Sequence, residues 1–186
     1  MNTEVIKKIA KGLNDIGCTW GIGGSVLLNR YNLVDKPNDI DILVKAKDAD
    51  NIKMFMDTIG ETVYLPSKEP FKTEAFFGYI VDGIMVEFLG NFKIDLGNGK
   101  LYEFVLDEKS VTDYKLIDNI KVNFTSLEDW LVAYIVMGDP KKRVNLIENY
   151  FINNKVKNIK LLERNLNQNL TEEIKTEINS SIRKFN

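Results

Sequence analysis

Three acidic residues and one glycine turn carry most of the chemistry that this chain could perform. Asp39 and Asp41 flank Ile40 and lead into the apolar run Ile42-Leu43-Val44. A strand alternates its side chains between faces, so both carboxylates project from the same side. Two carboxylates held side by side repel, and a divalent cation between them relieves the cost best. Upstream, Gly23-Gly24-Ser25 follows an apolar segment and opens a short helical stretch, a turn whose free backbone N–H groups suit an anion. An anion cradle beside paired carboxylates points to chemistry on a metal-bound phosphate. A third acid on a neighbouring strand would complete the set. Glu87 is the best candidate, because Ile84, Val86 and Phe88 share one face of an apolar run and Glu87 shares the other with Met85 and Leu89. A charge in the middle of such a strand requires a reason. Asp82 and Asp95 are rivals that sit beside apparent turns.

Each piece has an ordinary reading as well. Asp-x-Asp on a strand is commonly a solvated face, and two glycines mark a tight strand-to-helix turn wherever φ is positive. Glu87 could pair with a neighbouring lysine on an exposed strand. The combination and its spacing favour the chemical reading.

Gly23-Gly24-Ser25, then Asp39-x-Asp41 after thirteen intervening residues, then a later strand with an acid, resembles the nucleotidyltransferase superfamily. This is the polymerase-beta-like group that includes the aminoglycoside and lincosamide nucleotidyltransferases. The resemblance spans residues 18–90 by motif and extends more loosely to 150, through Leu127-Glu128-Asp129-Trp130 and Gly138-Asp139-Pro140-Lys141-Lys142. It implies transfer of a nucleoside monophosphate from a nucleoside triphosphate to an acceptor hydroxyl, with two Mg²⁺ ions and release of pyrophosphate. The acceptor it implies is a small molecule. Carried over residue by residue, Gly23, Gly24 and Ser25 would hold the triphosphate and Asp39 and Asp41 would ligate metal. Glu87 would be the third acid, as ligand or general base. Arg30, in the helix after the turn, and Lys141 are further nucleotide-contact candidates. Several small-molecule members carry a lysine on the helix after the core, where Trp130–Met137 offers Tyr134 instead. Many small members complete their sites across a homodimer, which the resemblance makes an expected assembly here.

Bulk properties narrow the alternatives. The 186 residues suit one domain with a small appendage. A formal net charge of −2 gives no bulk electrostatic case for an extended nucleic-acid partner. The chain has no histidine, which removes Ser-His-Asp and Cys-His schemes and histidine metal ligands. Cys18 is the only cysteine, so no intramolecular disulfide can form, and its place before an apolar strand predicts a buried, inert thiol. The first twenty residues are charged and amphipathic without an apolar signal core, and no run approaches a membrane span. A reducing cytoplasm is the expected setting.

The elements that must position the acids follow from periodicity. Val5, Ile6, Ile9, Leu13 and Ile16 keep helical spacing. Strands are expected at 18–22, 39–44, 62–65, 92–96, 101–106 and 120–124, with a hairpin of 71–81 and 84–89 turning at Asp82-Gly83. Helices are expected at 25–31 and 49–59. From Ser126 the chain turns helical, with Ser126 and Asp129 resembling a capping box. Asp139-Pro140 predicts another helix start, with Lys141, Lys142 and Arg143 on its first turn, solvated or phosphate-binding. The final stretch, 155–186, reads as two amphipathic helices that cap the core or meet a partner. Trp20 and Trp130 read as core. The expected architecture is α+β: a nucleotidyltransferase-like mixed β-sheet flanked by helices, with residues 1–125 as catalytic core and 126–186 as an α-helical C-terminal segment. Two rival functions stand beside transfer. One is a catalytically inactive protein of the same fold acting as a binding or toxin–antitoxin-type partner. The other, a dinucleotide-binding oxidoreductase suggested by Gly21-x-Gly23, fails because Val26 occupies the third glycine position.

Overall fold

The computed structural model describes residues 3–185. The first helix, α1 (Thr3–Ile16), buries Val5, Ile6, Ile9 and Leu13 of the stripe expected from periodicity, with Ala10 beside them, while Ile16 at its end is half-buried. It ends at Gly17, whose φ of +73° is a left-handed conformation suited to glycine. Strand β1 (Trp20–Ile22) then leads through Gly23 into α2 (Gly24–Arg30). Strand β2 (Asp39–Val44) follows, and a 3₁₀ turn leads into α3 (Ala49–Met56).

Strands β3 (Glu61–Val63), β4 (Ala75–Val81) and β5 (Ile84–Gly90) form an antiparallel run. The β4–β5 hairpin turns at Asp82 and Gly83, with φ of +48° and +80°. Positive φ at both central residues matches the twist of the flanking strands, as the Asp-Gly pair predicts. Strands β6 (Lys93–Gly97) and β7 (Lys100–Glu103) form a separate ribbon. Strands β8 (Asp113–Ile117) and β9 (Ile120–Phe124) close the β region.

The main sheet has the order β3-β4-β5-β2-β1-β9-β8. It is mixed: β2 runs parallel to β5, β1 parallel to β9, and β1 antiparallel to β2. This places β2 and β5 side by side at the centre. Strand β8 was not expected from the sequence. It is a sheet edge with Tyr114 and Leu116 exposed, so its apolar residues do not mark a buried face.

Helices α4 (Leu127–Val136), α5 (Arg143–Asn154), α6 (Ile159–Leu166) and α7 (Glu172–Phe185) follow. Every residue of α4 is buried, because α2 packs against it along with α5, α6 and α7. The last two helices therefore cap the core. Ser126 caps α4 by accepting from the Asp129 N–H at 3.2 Å. The reciprocal half of a capping box is absent: the Ser126 N–H donates to Ser110 O, and the Asp129 carboxylate accepts from the Ser126 hydroxyl instead.

That carboxylate is anchored by Arg164 from α6, whose Nη2 lies 2.8 Å from Asp129 Oδ2 while its Nη1 reaches Asp107 at 3.0 Å. Burial pushes the Asp129 carboxyl upward, against the pull of Arg164. Removing one partner of a buried pair leaves an uncompensated charge. Arg164→Ala should lower stability by about 3–5 kcal/mol in denaturant titration, with Ser126, Asn165 and Asp107 losing a shared tether.

The helix expected at Asp139-Pro140 begins later. Asp139 has φ of +45°, Lys142 has φ of +55°, and α5 starts at Arg143. Asp139 keeps the role of a cap at longer range: its carboxylate accepts from the N–H groups of Arg143 and Val144. Cys18 is half-buried rather than buried, and burial pushes its thiol up to about 11, consistent with an inert thiol.

Candidate active site

Parallel pairing of β2 with β5 sets Asp39 beside Met85 and Asp41 beside Glu87. Adjacent strands lie about 4.8 Å apart, so Asp41 and Glu87 project as neighbours from one face. The opposite face carries Ile40, Ile42, Val86 and Phe88, all buried in the core. Facing Glu87 across β4 is Gly78, which adds no side chain over the acid.

The glycine turn presses against this cluster. Gly24 has φ of +53°, and a Cβ placed there would lie 1.8 Å from Asp41 Oδ2. Gly23 is constrained differently: its Cβ would meet the Trp130 ring at 2.2 Å. Gly24 is thus glycine for two reasons, conformation and the close approach of Asp41. Ser25 donates its hydroxyl to Asp39 Oδ1 at 3.2 Å, tying the turn to the second carboxylate. Helix α2 has only seven residues, so the turn offers local N–H and O–H donors more than a long-helix dipole.

Electrostatics marks Asp41 as the focal group. Burial, then Asp39, then Glu87 push its carboxyl up to about 7, while Arg143 and Lys141 pull it back. Asp41 is enclosed by protein yet keeps a partly open side toward the cavity that it lines. Glu87 is raised as well, by burial and by Asp39. Three acids with hard oxygen donors, two of them held above the ordinary carboxylate range by burial and mutual repulsion, suit a magnesium-type cation. Among the described residues, no three Asp, Glu, Cys or His side chains are gathered tightly enough to form a ready-built metal cage. The trio would have to draw inward around a cation.

Proton competition gives a direct check. A carboxyl titrating at about 7 binds a cation only after losing its proton. Mg²⁺ affinity followed by calorimetry should rise by about tenfold per pH unit as pH approaches 7 from below and level off above it. Affinity independent of pH across that window would contradict the coupling.

Two cavities meet at the acids. One, of about 270 Å³, is lined by Gly24, Asp41, Glu87 and a largely apolar wall. The other, of about 260 Å³, is polar and includes Ser25, Lys36 and Asp39. Lys141 and Arg143 border both. Lys141, a nucleotide-contact candidate from the sequence, therefore lies beside the acids. Arg143, given only as part of a basic first turn, stands there too. Its guanidinium donates to Tyr134 Oη at 2.7 Å and lies over that ring. Its signal in the sequence was its place beside Lys141, and the late start of α5 is what turns it inward. Trp130 is core as expected, 4% exposed, yet its edge also lines the larger cavity.

Arg30 is not brought to this cluster. Its guanidinium makes a two-point contact with Asp113 of β8, at 3.0 Å for both bonds, and lies over Phe124. Its fork is committed to the β8 edge. Asp82 sits in the hairpin turn paired with Lys8, and Asp95 accepts from its neighbouring Gly97 N–H, so neither rival replaces Glu87 beside Asp41.

Several solved structures share this fold, and the matches are nucleotidyltransferases or proteins described as like them. A candidate nucleotidyltransferase from Thermotoga maritima matches with a TM-score of 0.63 and 26% identity, covering 77% of this chain and 89% of that one. This chain has the nucleotidyltransferase fold. The antibiotic-resistance factor ANT(2'')-Ia, solved also with adenylyl-2''-tobramycin, matches with a TM-score of 0.58 at 13% identity over 97% of this chain. It is covered over 94% and 95% of its own length in its two structures. The lincosamide antibiotic adenylyltransferase LnuA, solved with lincomycin, matches with a TM-score of 0.54 at 11% identity over 84% of this chain and 98% of its own. No protein-family model and no curated protein matches the sequence. The α+β expectation, a mixed sheet flanked by helices, holds in this nucleotidyltransferase fold. Among the described residues, no helix is long and apolar enough to cross a membrane.

Proposed function

We propose that this protein is a Mg²⁺-dependent nucleotidyltransferase that moves a nucleoside monophosphate from a nucleoside triphosphate to a hydroxyl of a small acceptor, releasing pyrophosphate. The observation that carries the reading is the register of Asp41 beside Glu87, with Asp39 on the same face and Gly24 pressed against Asp41. Bound Mg²⁺ would neutralise the phosphate oxygens and stabilise charge on the attacking and leaving oxygens.

The chain's own residues divide the remaining work. Asp39 and Asp41 would hold the metal, and Glu87 would either share it or accept the acceptor's proton. Burial and Asp39 raise its carboxyl, which makes it a stronger proton acceptor than an ordinary carboxylate. Gly23, Gly24 and Ser25 would seat the triphosphate in the polar cavity, where Lys141 and Arg143 supply positive charge. The largely apolar cavity would hold the acceptor and exclude water from the reacting hydroxyl. In the same proposal, residues 1–125 form the catalytic core and 126–186 the helical segment that contributes Lys141 and Arg143. The setting is the cytoplasm, and a homodimer is the assembly to test by light scattering.

Binding of ATP, GTP, CTP and UTP, titrated with and without Mg²⁺, tests the reading. At least one triphosphate should bind only with the metal, and Glu87→Gln should lower turnover by about 10²-fold or more while retaining nucleotide binding. A folded protein with no affinity for any triphosphate would support the binding-partner alternative instead.

A further inference from the structure

The larger cavity has a charge distribution that narrows the acceptor. Its acidic lining residues are Asp41 and Glu87, both of which the transfer reading commits to metal or proton. Three cations also line it: Lys68 from the segment between β3 and β4, Lys141 from the approach to α5, and Arg143 at the start of α5. Between them runs an aromatic and aliphatic wall that includes Phe71, Phe76, Leu89 and Phe92. Phe76 and Leu89 face each other across the β4–β5 pair, on the same face as Glu87, so this wall continues directly from the acids. Phe71 stacks on Phe92, with ring centroids 6.1 Å apart.

An ammonium group bound here would find no uncommitted carboxylate, and Lys68, the lining cation that the transfer reading leaves unassigned, would add a like charge. Transferring it from water without a partner is costly. A ring system, by contrast, would bury its faces against aromatic carbon. The volume, about 270 Å³, lies just below the usual range for ligand sites of about 300–1,000 Å³. We infer that the acceptor is a compact alcohol with an aromatic or alicyclic body and no cationic group, bound against Phe71, Phe76 and Leu89 with its hydroxyl toward Asp41 and Glu87. A polyamino sugar is the wrong substrate class for this cavity. The inference rests on the transfer reading, which supplies the commitment of the two acids.

A matched pair of probes isolates charge from shape: 2-naphthaleneethanol and 2-(2-naphthyl)ethylamine share one ring body and differ in hydroxyl against ammonium. Both are titrated against the whole chain with Mg²⁺ and a non-hydrolysable triphosphate present, with 2-deoxystreptamine as a compact polyamine. The alcohol should bind about tenfold or more tighter than either amine. Phe76→Ala and, on the more exposed segment, Phe71→Ala should each weaken the alcohol by about fivefold or more while changing triphosphate affinity by less than about twofold. Tighter binding of an amine overturns the inference and leaves the transfer reading standing. Loss of triphosphate affinity in the Phe variants, with the alcohol unaffected, overturns it too, since the wall would then hold the nucleobase. Failure of the wild-type protein to bind any triphosphate ends the transfer reading itself, and the inference with it.

Discussion

Asp41→Asn should abolish transfer and at the same time make the protein more stable at neutral and alkaline pH. The two effects share one cause. Asp41 is enclosed beside Asp39 and Glu87, and these surroundings raise its carboxyl to about 7. A group whose folded pKa lies above its unfolded value favours the native state when protonated. That contribution is fully present below the unfolded value, near 4, and is lost as pH rises through about 7. Above that range, ionised Asp41 opposes folding in the absence of a cation. Asparagine keeps the shape without the charge. Denaturation at pH 8 without metal should therefore show a gain of about 1–3 kcal/mol, shrinking toward zero at pH 4. Transfer should fall by at least about 10³-fold, because a neutral carboxamide is a poor Mg²⁺ ligand and the cation it fails to hold is what would offset charge at the phosphate. Added Mg²⁺ should stabilise the natural protein and leave the variant unchanged. A variant with normal turnover, or one destabilised at pH 8, would contradict this account of the site.

Gly24→Ala should be the most damaging single methyl that the turn can receive. Its Cβ would enter within 1.8 Å of Asp41 Oδ2 and 2.7 Å of Asp41 Cγ. The left-handed φ of +53° adds about 1–2 kcal/mol of strain for any residue with a Cβ. Either the turn opens or Asp41 leaves its place beside Glu87, and both dismantle the site. Activity should drop by at least about 10²-fold, since small misplacements of reacting groups are costly. Gly83→Ala provides the control. Gly83 also has positive φ, +80°, but a Cβ there meets nothing within 4 Å. That variant should lose about 1 kcal/mol of stability and no activity. Equal activity losses in the two variants would mean that backbone strain, not contact with Asp41, is what the turn cannot tolerate.

The acids were legible because strand alternation is local. Asp-x-Asp before Ile42-Leu43-Val44 fixes which side chains share a face, and Glu87 stands out as the charge within an apolar run. Their meeting depends on β2 pairing in parallel with β5, a contact across more than forty residues that no local pattern records. The residue pattern only required that Glu87 lie on a neighbouring strand; the sheet supplies the parallel register. Arg30 shows the converse. Its position one helix after the glycine turn invites a phosphate role, but Asp113 on β8 captures it, and β8 is the strand that the apolar pattern fails to mark. Arg143 was hidden by a plausible helix start at Asp139-Pro140. The left-handed residues Asp139 and Lys142 delay α5 and bring Arg143 to the border of both cavities. The wall of the larger cavity was hidden as well. It is assembled from the segment at 66–73, two strands and α4, so only tertiary packing brings Phe71, Phe76 and Tyr134 together.

Crystals soaked with Mg²⁺ and a non-hydrolysable nucleoside triphosphate test the central claim most directly. Metal density should be held by Asp39 and Asp41, with Glu87 adjacent and phosphate oxygens seated on Gly24 and Ser25 beside Lys141 and Arg143. A triphosphate bound elsewhere, or a metal that bypasses Asp41, would contradict it.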